Sequence, residues 1–149
     1  MRVLLSTIGS RGEVQPLLGL ALELRARGHA VRVCVPPNFR YWVTGLGFAV
    51  TTVGPQVRVM AAPTPEQRRR MIEGMVAAQF AAVPEAAVGC DVVVGCGALQ
   101  IAAPSVTEVL RIPYVHARYC PITLAGDTED ARRWNEVWRP ALKKSTSRP

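Results

Sequence analysis

The sequence predicts an α/β fold: a Rossmann-like parallel sheet with helices on both faces. Short apolar runs at Val3 to Thr7, Ala30 to Val35, Phe48 to Val53, Asp91 to Gly95 and Pro113 to Tyr119 read as strands of a parallel sheet, the first and fourth as buried ones. Helical patterns separate most of them, with short connections. Glycines and prolines punctuate the run ends, at Gly9, Pro36-Pro37, Gly54-Pro55, Gly95 and Pro121. The right-handed crossover rule then leaves few topologies open.

The elements follow in order. The first strand ends at the turn Gly9-Ser10-Arg11-Gly12. The pattern Leu17, Leu18, Leu20, Ala21, Leu24 has helical spacing, and Gly28 supplies a C-terminal stop. A proline deep in a helix removes a hydrogen bond, so this helix is expected to begin within about three residues of Pro16. After the second strand, Asn38 can cap a short helix through Val43 to Leu46. Gln56 to Pro63 is irregular, and Thr64 with Gln67 then forms a capping box for a helix to about Val83, apolar at Met71, Met75, Ala78 and Ala82. Pro104 interrupts the segment after the fourth strand, which places the next firm helix at Ser105 to Leu110. Asp127 can cap a last helix carrying Trp134 and Trp138 one turn apart.

A chain of 149 residues, 49% hydrophobic and 19% charged, suits one globular domain. That domain is expected over residues 1–142, with a basic, disordered tail at 143–149. The net charge of +7 is scattered, apart from Arg68-Arg69-Arg70 and the tail, and no aromatic residues interleave with the basic runs. This argues against a nucleic-acid partner, although a positive field also favours a diphosphate-bearing substrate. No apolar run is long enough to span a bilayer and the start does not read as a signal peptide, so a cytoplasmic location is expected. Cys34, Cys90, Cys96 and Cys120 match no zinc or redox spacing and are expected to be reduced, buried thiols; no metal site is expected.

In an open parallel sheet, ligands bind outside the carboxyl ends of the strands. The turn after the first strand lies on that edge, and Gly9 and Gly12 would let a ligand approach the backbone. It is not a G-x-G-x-x-G fingerprint, and the second strand ends in Val35-Pro36-Pro37 where an acid for a ribose would stand. A dinucleotide site is therefore not expected. Glu13 admits two roles: the acid of a capping box with Ser10, or a general base able to take a proton from a hydroxyl.

Ser6 through Leu17, with Arg27-Gly28-His29-Ala30-Val31, Pro36-Pro37, Val53-Gly54-Pro55, Gln79-Phe80, Ile112-Pro113-Tyr114 and Cys120-Pro121, resembles the amino-terminal half of the GT-B glycosyltransferases that decorate glycopeptide antibiotics, macrolides and sterols. The resemblance implies an inverting, metal-independent transfer of a sugar from a nucleotide donor to an acceptor hydroxyl, with no resident cofactor. It implies a base at the position of Glu13, where the family usually has aspartate, with Ser10 close to the reacting groups and Gly9, Arg11 and Gly12 around them. The donor-binding domain of such enzymes has no counterpart in these 149 residues, so the chain is expected to be an acceptor-binding half that is inactive alone. The competing class is a non-catalytic ligand-binding or assembly module with the same fold.

Other residues carry a functional and a structural reading. Met60 and Phe80 are pocket candidates in the region that shapes the acceptor site of the family; Met71 and Met75 are expected in the core. Arg118 and Tyr119 either line the acceptor cleft or face solvent at a strand end. His29 and His116 are read as packed or hydrogen-bonded rather than reactive. Trp134 and Trp138 are expected to pack the last helix onto the domain or, where the donor-binding domain is absent, to form an apolar patch that drives self-association.

Overall fold

The computed structural model describes residues 1–56, 63–97 and 99–119. The chain divides after Ala117 into two units, and the fold below is that of the first, Met1–Ala117. Five strands, β1 (Arg2–Thr7), β2 (Ala30–Val35), β3 (Ala49–Thr52), β4 (Val92–Cys96) and β5 (Tyr114–Ala117), form one sheet in the order β3-β2-β1-β4-β5. Every pairing is parallel, with Leu5 opposite Val33 on one side and Val94 on the other.

The alternation of side chains along the strands feeds two cores. On one face Val3, Leu5, Val33, Val35 and Val94 meet Val14, Leu17, Leu18 and Ala21 of α1 (Arg11–Ala26) and Val43 of α2 (Arg40–Gly45). On the other, Leu4, Cys34 and Val93 meet Val83, Ala86 and Ala87 of α3 (Pro65–Ala87) and Ala102, Ala103 and Val106 of α4 (Ala102–Leu110). Helices on both faces of a parallel sheet explain why the strands read as near-continuous apolar runs.

Helix starts depart from the sequence expectation at three places. α1 begins at Arg11 with Ser10 as N-cap, so Pro16 stands in its second turn rather than at its start. The lost bond is confined to the carbonyl of Gly12, four residues before the proline. The first turn is already closed, because the amides of Glu13 and Val14 both reach the Ser10 carbonyl, at 3.0 and 3.1 Å. α4 begins at Ala102 rather than Ser105, since Pro104 falls in the first turn, where an amide has no helical partner to lose. α2 follows a 3-10 turn at Pro37–Phe39 and is capped at Phe39, not Asn38.

α3 starts as expected, with Thr64 N–H donating to Gln67 Oε1 at 2.9 Å and Gln67 N–H to Thr64 Oγ1 at 3.2 Å. It runs one turn past Val83, through Pro84. Its first turns are solvated: Arg70 pairs with Glu66 at 2.9 Å and Arg69 with Glu73 at 2.8 Å, all exposed. Met71 lies on this solvated stretch and is 43% exposed, so it is not the core residue the periodicity suggested; burial in α3 begins with Gln79, and only Met75 packs against the core. Among the described residues no helix is long and apolar enough to cross a membrane. Cys120, the helix expected after Asp127, Trp134 and Trp138 lie outside the described residues.

Candidate functional site

The strand order reverses between β1 and β4. From their carboxyl ends the chain departs to α1 on one face and to α4 on the other, and the point where the two connections part is the crevice position at which open parallel sheets bind ligands. The turn after β1 carries Gly9 and Ser10, and the turn after β4 opens with Gly97 at φ +87°, a left-handed conformation that favours glycine. Thr7 Oγ1 donates to the Cys96 carbonyl at 2.9 Å and ties the two strand ends together.

Glu13, in the first turn of α1, is half-buried in this crevice. Its Oε2 accepts the Ser10 N–H at 3.0 Å, the acid half of a capping box. The same carboxylate lies directly over the Cα of Gly9, leaving no room for a methyl group there. Its Oε1 faces the other turn, 2.7 Å from where a Cβ on Gly97 would stand. The carboxylate thus sits between the turns of the two central strands. On the far side, His116 of β5 donates from Nε2 to the Gly97 carbonyl at 3.1 Å, which assigns the ring's proton to Nε2.

Residues 3–126 match the glycosyltransferase family 28 N-terminal domain. The chain belongs to this family. Over 128 residues it is 45% identical to glycosyltransferase GtfE of Amycolatopsis orientalis, a match covering 81% of this chain and 31% of that protein. It is 43% identical over 127 residues to the vancomycin aglycone glucosyltransferase of the same organism, again over 81% of this chain and 31% of the relative. The solved glycosyltransferase VinC in complex with dTDP shares the fold with a TM-score of 0.68 at 22% identity, over 92% of this chain and 39% of the VinC chain. The fold is that of the amino-terminal domain of a GT-B glycosyltransferase, and the chain spans about a third of the length of the curated relatives it matches.

In this glycosyltransferase domain, Gly9, Ser10, Arg11, Gly12 and Glu13 occupy one turn and the start of one helix. Arg11 is exposed, its guanidinium 5.2 Å from the Trp42 ring centroid and its Nε 3.4 Å from Gln15 Oε1. A cation at a helix N-terminus opposes the helix dipole, and stacking on the indole of α2 offsets that repulsion. Gly12 is not required by space: a Cβ there would meet only Ser10 Oγ, at an ordinary 3.7 Å. Phe80, 48% exposed, lines an apolar groove of about 230 Å³ between α3 and α4, together with Pro84, Ser105, Val106, Val109 and Leu110. Arg118 and Tyr119 follow β5, which ends at Ala117, and belong to the second unit of the chain. Met60 lies outside the described residues.

Two buried glutamines, of which Gln79 figured in the sequence only as part of the family resemblance and Gln100 not at all, shape the β4–α4 connection. Gln79 of α3 donates from Nε2 to the Leu99 carbonyl at 3.0 Å and accepts the amides of Ile101 and Ala102 at 2.9 and 3.2 Å. Those amides open α4, which has no capping side chain of its own, so Gln79 caps it from a neighbouring helix. Gln100 reaches back to β1, donating to Ser6 Oγ at 3.1 Å. The signal for Gln79 was its place in the row Met75, Gln79, Val83, each one turn apart on the buried side of α3.

The three cysteines among the described residues are packed in the two cores. Cys34, Cys90 and Cys96 are buried free thiols. Loss of solvent pushes Cys34 and Cys96 up to about 11, with a hydrogen bond to Ser6 pulling Cys34 back slightly. Among the described residues no three His, Cys, Asp or Glu side chains cluster as metal ligands do.

Proposed function

We propose that this domain binds the acceptor in an inverting, metal-independent glycosyltransferase, which moves a sugar from a nucleotide donor to a hydroxyl of a natural-product or sterol acceptor. Glu13 is the general base. The observation that supports this is the placement of its carboxylate at the strand-order reversal, between the Gly9 and Gly97 turns. The carboxylate takes the hydroxyl proton as the acceptor oxygen attacks the anomeric carbon, and the nucleoside diphosphate leaves from the opposite side. Single displacement of this kind inverts the sugar carbon. The names of the glycopeptide relatives and the dTDP bound to VinC support a nucleotide-sugar donor and a hydroxyl-bearing acceptor. Arg11, exposed on the rim, adds positive charge to the approach of a diphosphate. The donor half is a separate domain or subunit, and the isolated chain transfers no sugar.

Capping and catalysis are compatible in one carboxylate, which has several lone-pair sites. The cap does support a second reading, in which Glu13 only closes the helix and the domain is a ligand-binding or assembly module. Glu13→Gln separates the two, because the amide oxygen can still accept the Ser10 N–H but the side chain is no longer a base. With a donor-binding domain supplied, general-base catalysis predicts that sugar transfer by Glu13→Gln falls by roughly 10² to 10⁴-fold. Unchanged transfer would leave the capping role standing and remove the base.

A further inference from the structure

Two glycines from different turns present bare Cα atoms to the same carboxylate. Gly9 is buried, and its φ lies outside the left-handed range, so its backbone does not demand glycine. The three atoms nearest to a Cβ at Gly9 all belong to the Glu13 carboxyl group, so the space a side chain would need is taken by that group. Gly97 closes the slot from the other strand, where a Cβ would stand 2.7 Å from Glu13 Oε1 and 3.5 Å from Thr7 Oγ1. The Gly97 carbonyl is in turn held by His116 Nε2 at 3.1 Å, across the pairing of Gly95 with His116.

We infer that Gly9 and Gly97 are positioning residues for Glu13: they form a slot that fixes its carboxylate in the crevice, and His116 holds the far wall through the Gly97 carbonyl. Its catalytic consequence rests on the reading of Glu13 as base. A methyl group on Gly9 cannot share the slot, because real Cβ atoms stay about 3.0 Å or more from such neighbours. The carboxylate must swing away by on the order of 1 Å, a misplacement that can cost about 10²-fold in rate. His116 acts one step removed, so its loss lets the Gly97 turn shift without blocking the slot.

The test has two arms. In the 149-residue chain, urea midpoints are compared for Gly9→Ala, Glu13→Ala and the double variant. Gly9→Ala is expected to give a lower midpoint relative to its parent when Glu13 is present than in the Glu13→Ala background, where the backbone tolerates the methyl group. Gly97→Ala is a poorer probe, because its left-handed φ strains any side chain. In the second arm, with a donor-binding domain supplied, Gly9→Ala is expected to lower kcat about 10²-fold with acceptor KM little changed. His116→Leu should lower kcat in the same direction, and His116→Gln, which keeps an N–H donor, should restore it. Equal midpoint losses in both backgrounds, or full turnover by Gly9→Ala, would overturn the slot. Midpoint coupling together with full turnover by Glu13→Gln would keep the slot and remove the base. No coupling together with an inactive Glu13→Gln would do the reverse.

Discussion

Replacing Gln79 by leucine probes how one buried side chain builds the β4–α4 connection. The swap keeps the apolar stem and nearly the same volume, so little of its cost comes from packing. It removes three hydrogen bonds, to the Leu99 carbonyl and from the Ile101 and Ala102 amides. Each such bond contributes about 0.5–1.5 kcal/mol net, and a buried amide left without a partner costs more, about 1–3 kcal/mol. The Ala102 amide is the critical one, since Ala102 is fully buried. The expected loss is therefore about 3 kcal/mol, a large share of the roughly 5–15 kcal/mol that holds a domain folded. At a urea m-value of about 1–3 kcal/mol/M this moves the midpoint down by about 1 M or more. Amide hydrogen exchange should quicken first at Ile101 and Ala102, with α1 unaffected below global unfolding. A loss under about 1 kcal/mol, or exchange at these two amides no faster than in the parent, would refute the cap from α3.

Two further expectations concern pH. The raised thiols of Cys34 and Cys96 mean that, between the ordinary value of 9.0 and about 11, the folded chain keeps protons the unfolded chain releases. Their contribution is complete below pH 9.0 and declines toward pH 11, on the order of 2 kcal/mol per thiol. Urea midpoints across that range, with Cys34→Ser and Cys96→Ser flattening the slope, check it. At the acid end, Arg2 holds the Asp91 carboxyl below 3.8, through its side-chain hydrogen bond first and its backbone amide second. That contribution is present above pH 3.8 and fades as pH falls through the lowered value. Asp91→Asn should flatten the acid limb of the stability profile, and an unchanged limb would remove this pair from the account.

The five strands were legible as short apolar runs between glycines and prolines, each within a residue or two of its predicted place, although only β1, β2 and β4 carry buried residues while the edge strands β3 and β5 carry none. The spacing of the cysteines pointed to buried thiols, and Cys34, Cys90 and Cys96 do lie in the sheet's two cores. What stayed hidden was set by partners distant in sequence. The true start of α4 at Ala102 was hidden because its cap is Gln79, 22 and 23 residues before the amides it accepts. The expected start of α1 lay too late because Pro16 was set against the Ser10–Glu13 capping box, whereas the closed first turn at Ser10 accommodates a proline in the second turn. Gly9 and Gly12 looked equivalent as glycines, yet only Gly9 is crowded, and that crowding comes from a side chain folding back on its own turn. Gly97 and His116 drew no functional reading, because their relation to Glu13 exists only once β4 is laid beside β1.

That neighbour relation also governs the order in which the site comes into being. β1 is the central strand, but β4, one of its two partners, lies late in the chain, with Arg2 and Asp91 separated by 89 positions where the two strands begin. A nascent or refolding chain can pair β1 with β2 and cover that layer with α1 while the other edge of β1 is still bare. At that stage the Glu13 helix exists with only one wall of its slot, since Gly97 arrives with β4. The Ser10 amide and Gly9 hold the Glu13 carboxylate within its own turn, but its enclosure is complete only once Gly97 stands beside it, so a spectroscopic label on that group would distinguish formation of the helix from completion of the sheet.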